Sequence, residues 1–317
     1  MLKRYALDPD VVADGMAFAA FVGGLGVEHG RLMAEFPRTW IRMAFERARS
    51  IPSMRQQKRA EILLERLRTE AQLKCRAGLE FDGEEPWLTN AECHVDEFDA
   101  VIHPDDAEPS IVSERLYPAT SLLEDQSYWQ VNRHENFTAK AGVYLGLLEP
   151  LACLRSSVSI MDPYFEPRRD EFVKGLSEIV SLVKTPRSVV VHASAEPRDG
   201  APTESSAQWE DVCREHLGAL VDADTNLTIV RWLRGASGSR PHARWLVTPV
   251  GGVFLDRGFA LDNRGNAVTL MDAVEAARLW EAYGTAPFAS NEFELREIVP
   301  ITTSLSSSSA TVRELSG

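Results

Sequence analysis

The stretch Pro241-His242-Ala243-Arg244-Trp245-Leu246-Val247-Thr248, followed by Gly251-Gly252-Val253-Phe254-Leu255 and Gly258, decides how this chain is read. Apolar β-formers flank a glycine pair, the pattern of strand, turn and strand. The Gly251-Gly252 pair reads as a hairpin turn and not a phosphate loop, because no helix follows it. A strand running from Pro241 puts His242 and Arg244 on one side of a sheet, since alternate residues share a face. An imidazole beside a fixed cation suits attack on a phosphate, or retention of one. The bland alternative is a histidine and an arginine that only brace the hairpin by hydrogen bonds.

Upstream of this stretch the pattern alternates strand and helix. Ser157-Val158-Ser159-Ile160-Met161 reads as a short buried strand ending at Asp162-Pro163-Tyr164. An amphipathic helix is predicted from Glu171 to Val183. Ser188-Val189-Val190-Val191-His192-Ala193 is β-branched and uninterrupted, as a strand covered on both faces should be. A polar loop from Glu196 to Ser206, a helix from Ala207 to Val221 and a third strand from Asn226 to Trp232 follow. Alternating units of this kind predict an α/β layered sheet. Asp162 stands either as a strand-exit turn before Pro163 or as a site residue, because ligands of open α/β sheets sit outside strand carboxyl ends. His192, inside an apolar strand, reads as a satisfied core histidine. Arg231 and Trp232 end the third strand and flank the same crevice, with packing the simpler role for Trp232.

The first half reads differently. Residues 8–78 are predicted to be helical. Asp8-Pro9 is a helix start, Ala17 to Val27 a buried helix and turn, and Phe36-Pro37 a break. A helix restarts at Thr39 with Trp40, Met43 and Ala44 on one face, and Ser50-Ile51-Pro52-Ser53 separates it from a longer helix carrying Ile62, Leu63, Leu67 and Leu73, capped by Gly78. Basic residues crowd the span 31–76, from Arg31, Arg38 and Arg42 to Lys74 and Arg76. They form either a solvated face laced with Glu–Arg pairs or a face for nucleic acid or an acidic partner. Residues 80–130, with four prolines and many acids, read mostly as loop, with Phe98 to Ile102 an edge-strand candidate. Asn136 to Leu154 turns helical again, with Val143, Leu147 and Leu151 on one stripe. The expected organisation is a mainly helical N-terminal region over 1–135, an α/β domain over 136–303 and a serine-rich disordered tail over 304–317.

Composition bounds the function. The 317 residues suit about two domains of ~150 residues, and 44% hydrophobic with 26% charged residues is ordinary for a globular protein. No apolar run approaches the ~20 residues of a membrane span, and acids appear too early for a signal peptide. Cys75, Cys93, Cys153 and Cys213 lie far apart, and no histidine pair has zinc spacing, so no metal or cofactor is expected. Reduced thiols of a cytoplasmic protein are the simplest reading. A net charge of −13 confines any polyanion contact to a local patch.

From Asp162-Pro163-Tyr164, through the helix-strand-helix-strand run, to His242-x-Arg244 and Gly258, the chain resembles the phospholipase D-like superfamily. It is most similar to the single-copy domain at the C-terminus of MIT-domain proteins. The resemblance covers roughly 150–265 and leaves the N-terminal half unassigned. It implies a phosphodiesterase that uses no metal. One histidine attacks phosphorus, a second from a partner half protonates the leaving group, and cations hold the phosphate oxygens. One motif per chain then implies a homodimer. His242 and Arg244 take the catalytic positions. Asp162, Tyr164, Arg231, Asp256, Arg257 and Asp262 are candidates to bind phosphate or substrate. Arg244 replaces the usual lysine, and Pro249 stands where an aspartate orients the histidine, leaving Asp162, Asp256 and Asp262 as possible substitutes. Three functions follow: a nuclease with a composite site; a degenerate module binding nucleic acid, a phosphorylated ligand or a protein partner; or a structural subunit, as in bacterial antiviral defence.

Overall fold

The computed structural model describes residues 1–70, 74–76, 78–124, 128–152, 154–196, 204–288 and 292–302. The predicted tail over 304–317, Leu73, Cys153 and the side chains of Lys74, Cys75 and Arg76 lie outside the described residues. In chain order the first part runs β1 (Lys3–Leu7), a 3-10 turn (Pro9–Ala13), α1 (Gly15–Gly24), β2 (Arg31–Glu35), α2 (Trp40–Arg49), α3 (Met54–Thr69), β3 (Lys74–Arg76), α4 (Trp87–Cys93), β4 (Ala100–His103) and β5 (Leu116–Pro118). The second runs β6 (His134–Thr138), α5 (Val143–Leu147), α6 (Glu149–Ala152), β7 (Ser157–Met161), α7 (Asp170–Leu182), β8 (Arg187–Ser194), α8 (Ser206–Leu217) and β9 (Thr225–Leu233). It closes with β10 (Trp245–Thr248), β11 (Gly251–Leu255), β12 (Gly265–Leu270), α9 (Ala273–Tyr283) and β13 (Glu294–Ile301).

Among the described residues the strands make two sheets. The first is parallel, in the order β3-β2-β1-β4-β5. The expectation of a mainly helical region 1–135 did not include this sheet. The helices at 15–24, 40–49 and 54–69 form as read, but they wrap strands that are three to five residues long. The segment containing Phe98–Ile102 is no edge strand. β4 lies between β1 and β5 with all four residues buried, so 80–130 carries part of the core. α2 buries Trp40, Ala44 and Ala48 at helical spacing and ends on Arg47 and Arg49, which suit its negative pole. α3 stops at Thr69, well before Gly78, with the Glu70 amide closing on the Arg66 carbonyl.

The second sheet has the order β13-β9-β8-β7-β10-β11-β12-β6. β7, β8 and β9 are parallel neighbours, and the remaining pairs are antiparallel. The chain is thus a mixed α/β protein. β6, which pairs with β12, begins where helix was expected from Asn136. Strand alternation builds a core on each face. Ile160, Val191, Ile229 and Leu246 join the main core, which is continuous with that of the first sheet. Met161, Val190, Val230, Trp232 and Trp245 meet Ala276, Leu279 and Tyr283 of α9 on the other face. No described helix is long and apolar enough to cross a membrane.

His192 sits in that second core, fully buried and fully bonded. Trp232 Nε1 donates to its Nδ1 at 3.0 Å, which fixes the proton on Nε2, 2.9 Å from the Tyr283 carbonyl. It is a core histidine. Burial pushes its pKa down to about 4, and the bond to Tyr283 opposes that shift. In the unfolded chain the imidazole titrates near 6.5, so unfolding takes up a proton between these values. The stability contribution of the neutral ring is therefore complete above pH 6.5 and is lost as pH falls towards 4, by about 3 kcal/mol. Urea unfolding of wild type and His192→Gln at pH 7 and pH 4.5 is expected to show the wild type losing most of that amount relative to the variant. A difference independent of pH would contradict it.

Candidate functional site at the carboxyl end of β7

β7 ends at Met161, and Asp162 follows, 1% exposed. Its Oδ1 accepts the Tyr164 amide at 3.1 Å and its Oδ2 accepts the Phe259 amide at 3.4 Å. Arg244 Nε lies 3.9 Å from Oδ1. Burial pushes the Asp162 carboxyl up to about 6; the Tyr164 amide, Arg244, the Phe259 amide and Arg169 all pull the other way and lose. The turn after β11 closes over this carboxylate through Gly258. Its φ is +78°, and a Cβ there would lie 1.9 Å from Asp162 Oδ2. The Gly258 carbonyl in turn accepts from Tyr144 Oη at 3.1 Å and Asn266 Nδ2 at 2.9 Å. Burial raises the Tyr144 phenol well above its usual range, so it stays a donor. Of these supports, Tyr144 and Asn266 escaped sequence reading. Only the Gly258 at the end of the hairpin motif hinted at them.

Arg244 is held on three sides. Its Nη1 donates to the Asp256 carbonyl, its guanidinium carbon stands 4.7 Å from the Tyr164 ring centre, and its Nε is buried beside Asp162 without a hydrogen bond. The side chain is still 26% exposed.

His242 does not join this group. β10 begins only at Trp245, so residues 241–244 are not strand and alternation does not govern them. This corrects the expectation that His242 and Arg244 share a strand face. His242 is exposed and borders a cavity of about 70 Å³ on the α9 side, with Met161, Trp245, Phe254 and Tyr283. Glu275 and Glu292 line the same cavity, but Arg278 engages both, at 2.8 and 3.5 Å. No hydrogen bond or ion pair holds the imidazole among the described residues.

The other candidates fall in separate places. Asp256 contributes its carbonyl to Arg244, and its side chain points to solvent. Arg257 pairs with Asp262 at 3.3 Å, and Arg264 approaches the same carboxylate at 3.8 Å. Arg231 is a core residue. It forms a buried ion pair with Glu297 of β13 under the Trp209 ring, 4.3 Å from its centre. Pro249 is exposed in the β10–β11 turn. None of the three substitute carboxylates reaches His242 in a described contact.

In the basic span 31–76, half of the described basic side chains are paired with carboxylates. Arg42, Arg47, Lys58, Arg66 and Arg68 each meet a carboxylate. Arg31 packs 4.6 Å from the Trp129 ring centre and donates to the Trp129 carbonyl. Arg38, Arg49, Arg55 and Arg59 are exposed and without ion pairs among the described residues. No group of three histidine, cysteine or acidic side chains among the described residues is placed to hold a metal.

No protein-family model and no curated protein matches the chain. Gly258→Ala combines a forced left-handed residue with a clash against a buried carboxylate, neither of which a flexible side chain can relieve. A loss of about 3 kcal/mol or more in urea unfolding is expected. Gly265→Ala, at an open position, is expected to change stability by less than about 1 kcal/mol. Equal effects would refute the Gly258–Asp162 contact.

Proposed function

We propose that residues 136–303 form a phospholipase D-like module that holds a phosphate group on Arg244 and does not hydrolyse it. One observation carries the reading: a guanidinium seated by Asp162, Tyr164 and the Asp256 carbonyl keeps about a quarter of its side chain in solvent. An arginine oriented in this way pays little entropy to present its remaining N–H groups to phosphate.

Hydrolysis makes different demands. The attacking imidazole must be oriented and kept close to the cation. His242 has no acid to orient it among the described residues, sits on the α9 side and lies beside carboxylates already engaged by Arg278. A second copy of the chain would bring a second His242, yet Pro249 would still stand at the position of the orienting acid. The ligand class is a phosphomonoester or phosphodiester, with the nucleic-acid backbone its most abundant source. The acidic body of the protein limits the contact to this one patch.

A fluorescent single-stranded DNA 12-mer in EDTA tests the reading. Arg244→Ala is expected to weaken binding about tenfold, and His242→Ala less than about twofold, with the probe intact throughout. Binding unchanged in Arg244→Ala would end the proposal. So would cleavage that survives EDTA and disappears in His242→Ala, which would restore the phosphodiesterase.

A further inference from the structure

The first sheet has its own crevice. β1 is central, with β2 and β3 on one side and β4 and β5 on the other. The chain therefore leaves the carboxyl ends of β1 and β4 in opposite directions, which in parallel sheets opens a cleft between the two exits. A cavity of about 760 Å³ lies there, within the range of small-molecule sites. Asp8 and Asp10 follow β1, Asp106 and Glu108 follow β4, Trp87 of α4 gives an apolar wall, and Arg47 of α2 stands at the rim.

The chemistry of this lining is one-sided. Arg47 is already paired with Asp10 at 3.1 Å, and Glu92 is taken up by the Ser110 amide and hydroxyl. Asp8, Asp106 and Glu108 have no ion pair among the described residues. Asp8 matters most. Its residue is 7% exposed, its Oδ1 accepts the Asp10 amide at 2.9 Å, and its Oδ2 has no hydrogen-bond partner among the described residues. Asp8 is one of the residues that line the cavity. Burial pushes the carboxyl up to about 6, helped by the Asp10 carboxylate and outweighing the Asp10 amide and the more weakly felt Arg47, which favour its charge. An unmatched buried carboxylate costs stability, and such groups collect at sites where a ligand supplies the missing partner. A bare phosphate does not fit. Pro9 removes an N–H from the loop where a phosphate cradle would need donors, and the surrounding carboxylates repel an anion.

We propose that this crevice is a second binding site, taking a small positively charged ligand whose cation meets Asp8 Oδ2. No three carboxylates are placed to chelate a metal directly among the described residues. The cation is therefore held by one or two carboxylates, as suits either a hydrated divalent ion or an organic amine. The site lies on the other sheet from Arg244 and stands or falls independently of it.

Thermal unfolding of the full chain with magnesium chloride, with spermidine, and with sodium chloride at matched ionic strength tests the site. At about 100 times Kd, one of the first two is expected to raise Tm by about 4 °C, and sodium chloride is not. Which of them acts identifies the source of the charge. Asp8→Asn is expected to abolish the shift while melting no lower than wild type without ligand, because it removes the buried charge. Arg244→Ala is expected to keep the shift. If Asp8→Asn fails to fold, the exposed Asp106→Asn takes its place and is expected to diminish the shift. No shift with either cation, or a shift that survives in Asp8→Asn, would overturn the proposal.

Discussion

A carboxylate buried at the end of β7 is the constraint on which the C-terminal unit depends. Asp162 takes two backbone amides, one from the turn it begins and one from Phe259, almost a hundred residues later. Enclosing a carboxylate costs several kcal/mol unless its oxygens are bonded. Three further features follow from that cost. The turn after β11 must come close, so Gly258 has no room for a side chain. Its carbonyl must then be satisfied from behind, by Tyr144 and Asn266. Arg244 must face the carboxylate from the remaining side.

Two arginines of the second sheet show how exposure separates structure from function. Arg231 and Glu297 are both nine-tenths buried or more, under Trp209, and the only other cation described near that carboxylate is Arg296 at 3.8 Å, so these charges are used within the fold. Replacing such a pair with apolar side chains is often neutral, whereas breaking it leaves a buried charge. Arg244 has a comparable set of partners but stays partly exposed. Both are arginines near strand ends, and only their depth distinguishes them.

That difference marks the limit of what was legible in the sequence. β7, β8 and β9 were legible because β-branched runs have no helical alternative, and the β10–β11 hairpin from its two apolar runs, although the turn falls at Pro249-Val250 and the expected turn pair Gly251-Gly252 lies inside β11, opposite Thr248 and Val247. β1 and β2 were not, and β4 was legible only as an edge-strand candidate at Phe98–Ile102, not as an interior strand. Leu32-Met33-Ala34 between Arg31 and Glu35 fits a helix face as well as a strand, and a parallel order depends on contacts between distant segments. The pair His242 and Arg244 was half legible. The residue types were informative, but their common orientation required a strand to begin at Pro241, and it begins at Trp245. The partners of Asp162 were out of reach, because nothing local links it to Phe259 or Gly258.

The two sheets use one local device with opposite electrical results. In each, a parallel strand ends in Asp-Pro: Asp8-Pro9 after β1 and Asp162-Pro163 after β7. In each, the aspartate accepts the amide two residues on, the proline ends the ladder, and burial lifts the carboxyl to about 6. What differs is the neighbour. At Asp162 the chain returns with Arg244, so the carboxylate is matched and the leftover valence of the site belongs to a cation seeking an anion. At Asp8 the nearby arginine is taken by Asp10, so the leftover valence at the cavity is negative. The same strand-exit turn therefore leaves a carboxylate faced by a partly exposed arginine in one sheet and an acidic cavity in the other, and the deciding residue in each case comes from elsewhere in the chain.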